Sequence, residues 1–245
     1  MTVTGVGLIQ PIKHRAGGSG SSFSPLDIPD LFGWWDASDV TTFSYSAPNE
    51  VSQWADKSGN ARHFSQWFAA WNPLANSVTK NGLNVIHFDG VTDILLGPAG
   101  VASSDPCTIF TCIKRNSGTR VHFSNGGTSV GWSCTTNGDS GLGYGMLFQG
   151  IRWVGTGVAS TAWTIHTAVI SNFAASAVDY AVYKENVLQV SGNTGIAATA
   201  GALQVGGDDG ARDNIYAAEV ILVKRNLSPA EREQVFNYLQ AKWAI

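Results

Sequence analysis

The chain has 245 residues, a formal net charge of -3 at pH 7 and a sequence pI near 5.9. This charge balance argues against nucleic acid as a main partner, because no basic stripe is present to neutralise phosphates. Only 13% of the residues are charged, whereas Gly (28 residues) and Trp (9) are plentiful, which favours an all-β protein with many turns.

No segment approaches the roughly 18 apolar residues of a membrane-spanning helix, so no membrane span is predicted. The N-terminus also lacks a basic segment followed by an apolar one. We therefore expect synthesis in a cytoplasm without export through a signal peptide.

Residues 1–24 differ from the rest of the chain and predict an N-terminal arm. Thr, Gly and Pro separate its apolar residues, and a flexible Gly/Ser linker follows at residues 16–22. Such a linker cannot order itself, so we expect the arm to dock on a partner or a neighbouring subunit; the alternative is a frayed tail. The apolar residues predicted to make this contact are Val3, Val6, Leu8, Ile9 and Ile12.

The segment 83–95 predicts a strand, a tight turn and a second strand. Ile86 and Phe88 fall on one face of an extended chain and His87 falls on the other, as in a half-buried strand. Asp89-Gly90 supplies the turn. Further strands are predicted near residues 62–68, 107–114, 120–124, 129–134, 143–149, 163–171, 178–184, 187–191, 202–205 and 217–223.

A hairpin is predicted around residues 184–186, with Tyr180 and Val182 facing the core and Leu188 and Val190 returning to it. Short strands at this spacing indicate a sandwich or jelly roll. We predict an all-β, two-sheet antiparallel jelly-roll sandwich over residues 25–245.

The end of the chain predicts one α-helix over residues 229–243. Ser228-Pro-Ala-Glu231 is a capping box with proline at the first helical position. Val235, Phe236, Leu239 and Trp243 then form one apolar stripe.

Three blocks resemble the concanavalin A-like lectin/glucanase (laminin G-like) jelly-roll domains of bacteriophage virion proteins and bacterial surface proteins. They are residues 33–39 with 54–60, residues 81–93, and residues 218–243. The resemblance implies a two-sheet jelly roll with a sugar-binding or purely structural role. It does not cover the arm.

Metal and disulfide chemistry are not indicated by spacing. Cys107, Cys112 and Cys134 are an odd count without C-x-x-C spacing, so we expect reduced packing residues. The five histidines are scattered without metal-ligand spacing and are expected to be hydrogen-bonded sheet residues.

No cofactor is predicted, although calcium has one weak candidate site. Hard cations need several oxygen ligands, and residues 208–213 supply a cluster of carboxylates. The segment fails the EF-hand pattern, so we favour a solvated β-turn. The candidate ligands are Asp208, Asp209 and Asp213.

The glutamates predict no catalytic site. Glycanases of the resembling fold place carboxylates on one strand face in a Glu-x-Asp-x-x-Glu pattern. None of the five glutamates forms it, so the protein is predicted not to be an enzyme.

Tryptophan-rich sequences suggest carbohydrate binding, because sugar rings stack on aromatic planes. Trp132, Tyr144 and Trp153 lie in the Gly-rich middle of the chain and are the candidates, with core or subunit interface as the favoured alternative. The tryptophans predicted to be core are Trp34, Trp35, Trp54 and Trp243.

The resemblance, together with the arm, implies a bacteriophage surface protein, either a head decoration or fibre protein or a tail-associated one; a bacterial surface protein could carry the same blocks. Its arm would dock on a capsid or tail protein, and a homo-oligomer such as a trimer is expected. The alternative is a carbohydrate-binding module that mediates adsorption to host surface glycans.

Overall fold

Two antiparallel sheets stacked face to face form the body of the protein. The computed structural model describes residues 23–117, 121–126, 131–135, 144–148, 152–156, 161–171, 178–208 and 210–245. The predicted arm residues Val3, Val6, Leu8, Ile9 and Ile12 lie outside the described residues, and the arm stays a prediction.

The first sheet has seven strands, and β20 (Asn214–Val223), the second strand from one edge, pairs with three of the others. Its strands are β1 (Leu31–Asp36), β7 (Ile86–Asp89), β9 (Cys107–Ser117), β14 (Trp163–Ile170), β15 (Asp179–Lys184), β16 (Val187–Asn193) and β20 (Asn214–Val223). The neighbours run in the order β1, β20, β9, β14, β15, β16.

The second sheet has nine strands in the order β13, β12, β11, β10, β17, β8, β4, β3, β2. These are β2 (Phe43–Ala47), β3 (Glu50–Trp54), β4 (Phe64–Ser65), β8 (Leu95–Ala99), β10 (Val121–Asn125), β11 (Trp132–Thr135), β12 (Tyr144–Phe148), β13 (Arg152–Thr156) and β17 (Ala202–Val205). Two small hairpins complete the strands: β5 (Thr79–Lys80) with β6 (Leu83–Asn84), and β18 (Gly207–Asp208) with β19 (Ala211–Arg212).

Aromatic rings fill the space between the sheets. Trp35 of β1 lies 4.6 Å from Phe64 of β4, Phe64 contacts Phe123 of β10, and Phe123 stacks on Trp132 of β11. All four side chains are buried. The two-sheet sandwich predicted from the sequence is confirmed.

The C-terminal helix α1 (Pro229–Trp243) is confirmed with its capping box. Ser228 Oγ accepts the Glu231 N–H at 3.3 Å, and the Glu231 carboxylate accepts the Ser228 N–H at 2.9 Å. Val235, Leu239 and Trp243 are buried, whereas Phe236 is half-buried. They share a second hydrophobic cluster with the outer face of the seven-stranded sheet.

A buried carboxylate joins this helix to the sheet. Glu219 of β20 is fully buried and accepts hydrogen bonds from Trp34 Nε1 at 2.6 Å, Tyr238 Oη at 2.8 Å and Trp243 Nε1 at 2.8 Å. Lys242 Nζ lies 2.8 Å from the same carboxylate. Burial and the charge of nearby Asp36 raise the pKa of Glu219, while Lys242 opposes them.

Asp36 extends this network to the loop after β3. Lys242 Nζ lies 2.7 Å from one Asp36 oxygen, and Lys57 Nζ lies 3.0 Å from the other. Although burial raises the pKa of Asp36, these cations and Ser38 hold it below its usual value. One connected set of charges therefore fixes β1, β20, the Lys57 loop and the helix together.

The strand and turn at residues 86–90 are confirmed. Ile86 and Phe88 are buried while His87 is half-buried. Gly90 has φ 77°, and a Cβ there would lie 2.8 Å from Asn214 Cβ, so the turn requires glycine.

The hairpin at residues 184–186 is confirmed, with one difference. Glu185 and Asn186 have φ of 49° and 57°, the left-handed pair of a type I′ turn. Leu188 is exposed instead of returning to the core. A bulge between the pairs Val182↔Val190 and Tyr183↔Leu188 adds one residue to β16 and reverses its alternation.

Among the strands of four or more residues, β1, β2, β3 and β13 were not predicted from the sequence. Their residues mix aromatics with Gly, Ser and Asp, which read as turn residues when taken alone. Three cysteines are free and buried, as predicted. Within the described parts of the chain, no helix is long and apolar enough to cross a membrane.

We expect Glu219→Gln to lower the free energy of unfolding by about 2 to 4 kcal/mol. The amide NH2 would replace one carboxylate oxygen and face the two donors that this oxygen now accepts from, and Lys242 would lose the negative charge beside it. Urea denaturation followed by tryptophan fluorescence measures the change. Glu233→Gln, on the exposed face of the same helix, is the matched control, and an equal effect in both variants would contradict the anchoring role.

Candidate functional site

Four neighbouring strands of the nine-stranded sheet carry one row of side chains on the face turned away from the core. Gln53 of β3 pairs with Ser65 of β4, Ser65 pairs with Leu96 of β8, and Leu96 pairs with Gln204 of β17. Their sequence neighbours Trp54, Phe64, Leu95 and Val205 are buried in the core. Because side chains alternate along a strand, the row lies on the outer face.

A cleft of about 690 Å³ lies over this row. Polar and aromatic side chains line it, among them Gln53, His63, Ser65, Trp67 and Gln204. The volume falls within the range of ordinary small-ligand sites. Among the residues that the structure describes, no Asp, Glu, Lys or Arg lines the cleft.

An aromatic ridge, which we define as Trp67, Phe68 and Trp71, stands at the edge of the cleft. These side chains are 75%, 53% and 38% exposed. The Trp67 and Phe68 ring centroids lie 5.9 Å apart, and those of Phe68 and Trp71 lie 5.1 Å apart. Exposed clusters of large apolar side chains mark binding surfaces, because leaving them in water is unfavourable.

Buried polar contacts hold the backbone of the ridge in place. Gln66 is almost fully buried; its Oε1 accepts the Phe68 N–H at 3.0 Å and its Nε2 donates to the Ile94 carbonyl at 3.2 Å. The Ile94 N–H donates to the Trp71 carbonyl at 3.1 Å. The ridge is therefore fixed to the start of β8, which also lines the cleft.

Arg212 and the loop before β8 support the far end of the ridge. The Arg212 guanidinium lies 5.9 Å from the Trp71 ring centroid, and its Nε donates to the Thr92 carbonyl at 3.3 Å. In the same loop, Asp89 Oδ1 accepts the N–H groups of Thr92 and Asp93 at 2.9 and 3.0 Å. The carboxylates of the loop therefore hold its own backbone in place through hydrogen bonds.

The two carboxylates of this loop titrate differently. Burial, and then the charge of Asp89, raise the pKa of Asp93 to about 7. Burial also acts on Asp89, but hydrogen bonds from backbone N–H groups keep its pKa below the usual value. Asp93 is therefore the group of the ridge support that changes charge near neutral pH.

His63 presents one nitrogen as a hydrogen-bond donor. Its Nδ1 lies 3.0 Å from the Asp56 backbone N and must accept that N–H, so Nε2 carries the ring proton. The Asp56 carboxylate in turn accepts the backbone N–H groups of Trp34, Ser58 and Arg62 at 2.9, 2.8 and 3.1 Å. This loop, part of the blocks that carried the family resemblance, forms a rigid cleft wall.

The sequence-predicted sugar-binding residues do not form this site. Trp132 is fully buried and stacks on Phe123 in the core, so its ring is not available to a ligand. Tyr144 and Trp153 lie in β12 and β13, and their side chains are outside the described part of the structure. Their role stays a prediction.

The calcium candidates lie at the β18–β19 hairpin. Asp208 and Asp213 are buried, and Asp208 Oδ1 accepts the N–H groups of Gly210 and Ala211 at 3.3 and 3.1 Å. Asp209 lies outside the described residues. The Asp208 carboxylate accepts hydrogen bonds from the turn itself, as expected of a β-turn, but Asp208 and Asp213 are buried, whereas the sequence favoured a solvated turn.

Sequence reasoning missed the aromatic ridge. Residues 62–68 were assigned to a strand, whereas β4 covers only Phe64–Ser65. Three aromatics within residues 67–71 fit neither strand alternation nor a helical stripe, and that misfit was the available signal. Trp71 ends a short 3₁₀ turn, Ala69–Trp71, which spaces the rings on the surface.

No protein-family model matches the sequence, and no curated protein matches it in sequence. Solved structures of similar fold include a Trypanosoma rangeli sialidase, with TM-score 0.60 and 16% identity over 87% of this chain and 33% of that one. The binding domain of Paraclostridial Mosquitocidal Protein 1 matches with TM-score 0.60 and 13% identity over 88% of this chain and 53% of that one.

A further similar structure is Domain 4 of AbnA, a GH43 extracellular arabinanase from Geobacillus stearothermophilus, in complex with arabinotriose. The TM-score is 0.56 at 16% identity, over 85% of this chain and 97% of that one. Likeness at these identities shows the fold, a β-sandwich. The chain spans about a third of the length of the sialidase.

The prediction that the protein is not an enzyme is wrong. It rested on the absence of one glutamate pattern, yet similar structures include those of a sialidase, so the fold occurs in proteins that act on glycans. The resemblance to lectin-like jelly rolls holds for the sandwich fold. None of the three proteins named above is a virion protein.

We expect the contribution of Asp93 to the stability of the protein to fall as pH rises from about 3.8 to about 7. The pKa of folded Asp93 is raised from 3.8 to about 7, so its stabilising protonation is complete below about pH 3.8 and is lost as pH rises through about 7. Asp89 and Glu50 are the other acids that act on Asp93.

Urea denaturation of the wild type and of Asp93→Asn between pH 5 and pH 8 measures this effect. The variant keeps an acceptor for the Asp89 N–H and cannot ionise, so it should gain stability relative to the wild type at the higher pH. Parallel pH profiles of the two proteins would contradict the assignment.

Proposed function

We propose that this chain is a glycan-binding β-sandwich domain whose cleft, beside the aromatic ridge, holds an oligosaccharide. The observation that carries the proposal is the position of Trp67, which is 75% exposed and lines a cleft floored by polar side chains. An indole plane and adjacent hydrogen-bonding groups are the two elements that sugar recognition requires.

The two elements act on different parts of a sugar ring. The C–H face of the ring packs on the Trp67 indole and gains apolar burial. The hydroxyl groups at the ring edge exchange hydrogen bonds with Gln53, Ser65 and the Nε2–H of His63. No hydrogen bond engages the Gln53 amide or the Ser65 hydroxyl within the described residues, so both groups are available to a ligand.

The charge of the lining indicates neutral sugars. An anionic sugar needs a cation in the cleft, because a carboxylate removed from water without a partner is costly. The lining has amide, hydroxyl and imidazole groups in place of Lys or Arg. The ligand class that fits the cleft is therefore the neutral oligosaccharides.

Two of the similar structures support the proposal. Domain 4 of the arabinanase was solved with arabinotriose, and this chain covers 97% of it, so a domain of this size and fold takes a neutral oligosaccharide there. The mosquitocidal-protein structure is described as a binding domain. The virion-surface location, the capsid or tail partners and the homo-oligomer stay predictions.

We expect Trp67→Ala to weaken glycan binding by about 10-fold to 100-fold, since one stacked aromatic ring contributes roughly 1 to 3 kcal/mol. A glycan array with neutral, arabinose-containing and sialylated oligosaccharides would identify the ligand, and isothermal titration calorimetry with that oligosaccharide would measure the loss. Because Trp67 is exposed, the variant should fold normally.

Tyr45→Ala is the matched control, because Tyr45 is 41% exposed on β2 and does not line the cleft. Equal affinities of the Trp67→Ala variant and the wild type would place binding elsewhere. Binding to sialylated glycans alone would contradict the neutral-sugar assignment, and binding to no glycan on the array would contradict the proposed function.

Gln53→Ala tests the polar floor of the cleft. We expect a loss of about 3-fold to 10-fold in affinity for the same oligosaccharide, the usual effect of removing one neutral hydrogen bond. Gln189→Ala, on the exposed hairpin strand β16, is the control. Calorimetry that shows no difference between Gln53→Ala and this control would exclude the floor from the site.

A further inference from the structure

Three metal-ligand side chains meet between the two sheets, far from one another in sequence. His122 of β10 and Cys134 of β11 come from the nine-stranded sheet, and His166 of β14 comes from the seven-stranded sheet. All three are buried, and one ligand atom from each lies within 4.8 Å of the others. The two imidazole centroids are 5.6 Å apart with their planes at 82°.

This group is unusual for the position it occupies. The space between sheets is filled with apolar side chains, and a buried polar side chain is costly unless it has a partner. His122 Nε2 lies 3.0 Å from Thr111 Oγ1 of β9. His122 Nδ1 is buried and has no hydrogen-bond partner among the described residues.

The protonation states suit ligation. Burial, and then His166, hold the pKa of His122 well below its usual value, and burial lowers the pKa of His166 to about 4. Both shifts favour the neutral imidazole, which is the form that binds metals. Burial raises the pKa of Cys134, and a bound cation would reverse that shift by replacing the thiol proton.

The distances among the three ligand atoms are close to those of a metal site. Nitrogen and sulfur ligands at 2.0–2.3 Å from one ion lie roughly 3.3 to 4 Å from each other. The observed 4.8 Å limit needs a contraction of only about 1 Å. Thr111 also acts as the outer hydrogen-bond partner that fixes the tautomer of a ligating histidine. Its contact with His122 Nε2 leaves His122 Nδ1 for the ion.

We propose that His122, Cys134 and His166 bind one transition-metal ion inside the sandwich, and that charge favours Cu(I). Two imidazoles and one thiolate around a monovalent ion are neutral as a whole, whereas the same ligands around Zn²⁺ leave a positive charge in the core. The thiol proton leaves to solvent on binding. Met146, the cross-strand partner of Cys134, adds another soft sulfur to the same core cluster.

The test uses the full chain, unfolded in denaturant under reducing conditions and refolded with Cu(I), with Zn²⁺ or with EDTA. Refolding gives the ion access before the core closes. After gel filtration, elemental analysis should find one copper per chain, and the copper-loaded protein should melt at a higher temperature than the EDTA-treated protein. X-ray absorption should show sulfur and nitrogen bound to the ion.

Cys134→Ser should lose at least 100-fold in copper affinity, measured by competition with a copper chelator. Cys112→Ser is the matched control, because Cys112 is equally buried but lies in the other hydrophobic cluster, under the helix. Copper affinity should be unchanged in this variant.

Refolded wild type that holds no metal and melts as the EDTA-treated protein would overturn the proposal, whether or not either variant folds. Equal copper retention by both serine variants would overturn the assignment to this cluster. Uptake of zinc without copper would overturn the assignment to Cu(I).

Discussion

The buried carboxylate of Glu219 is the constraint on which the rest of the fold depends. It lies on β20 of the seven-stranded sheet and accepts hydrogen bonds from Trp34 on the neighbouring edge strand and from Tyr238 and Trp243 on the helix. A carboxylate in this position is tolerable only when its acceptors are all engaged and a cation lies beside it. The helix can therefore dock in only one register.

This anchoring decides which surface is left for a ligand. With α1 packed on the outer face of the seven-stranded sheet, the exposed cleft lies on the outer face of the nine-stranded sheet. The floor of the cleft is fixed because strand pairing holds Gln53, Ser65 and Gln204 in register. Its wall is fixed because the Asp56 and Gln66 side chains accept hydrogen bonds from the loop backbone. A preformed site loses less entropy on binding than a mobile one.

The two faces of the nine-stranded sheet carry different chemistry. Its outer face presents amides, a hydroxyl and an exposed indole, whereas its inner face carries His122 and Cys134 toward His166 of the other sheet. The proposed metal site would link the sheets at β10, and β10 is the direct neighbour of β17, which carries Gln204. The proposed glycan and metal sites are separable, because they share the nine-stranded sheet but no strand and no side chain.

The sequence by itself determined the elements whose signal is local. The capping box at Ser228, the hairpin at Glu185-Asn186 and the strand with Ile86 and Phe88 were all predicted, because the residues that define each of them lie within a few positions of one another. Composition also indicated an all-β protein, and the spacing of short strands indicated a sandwich.

Tertiary structure decided where each face points. One bulge turned Leu188 outward, and the pairing of β11 with β10 placed Trp132 against Phe123 in the core. A short 3₁₀ turn brought Trp67 and Trp71 onto the surface. The cleft and the histidine–cysteine cluster each combine strands that are distant in sequence. No residue spacing along the chain could therefore have predicted either of them. The physical reason is that long-range strand pairing and sheet stacking decide whether a side chain is buried or exposed. The local sequence is compatible with either outcome.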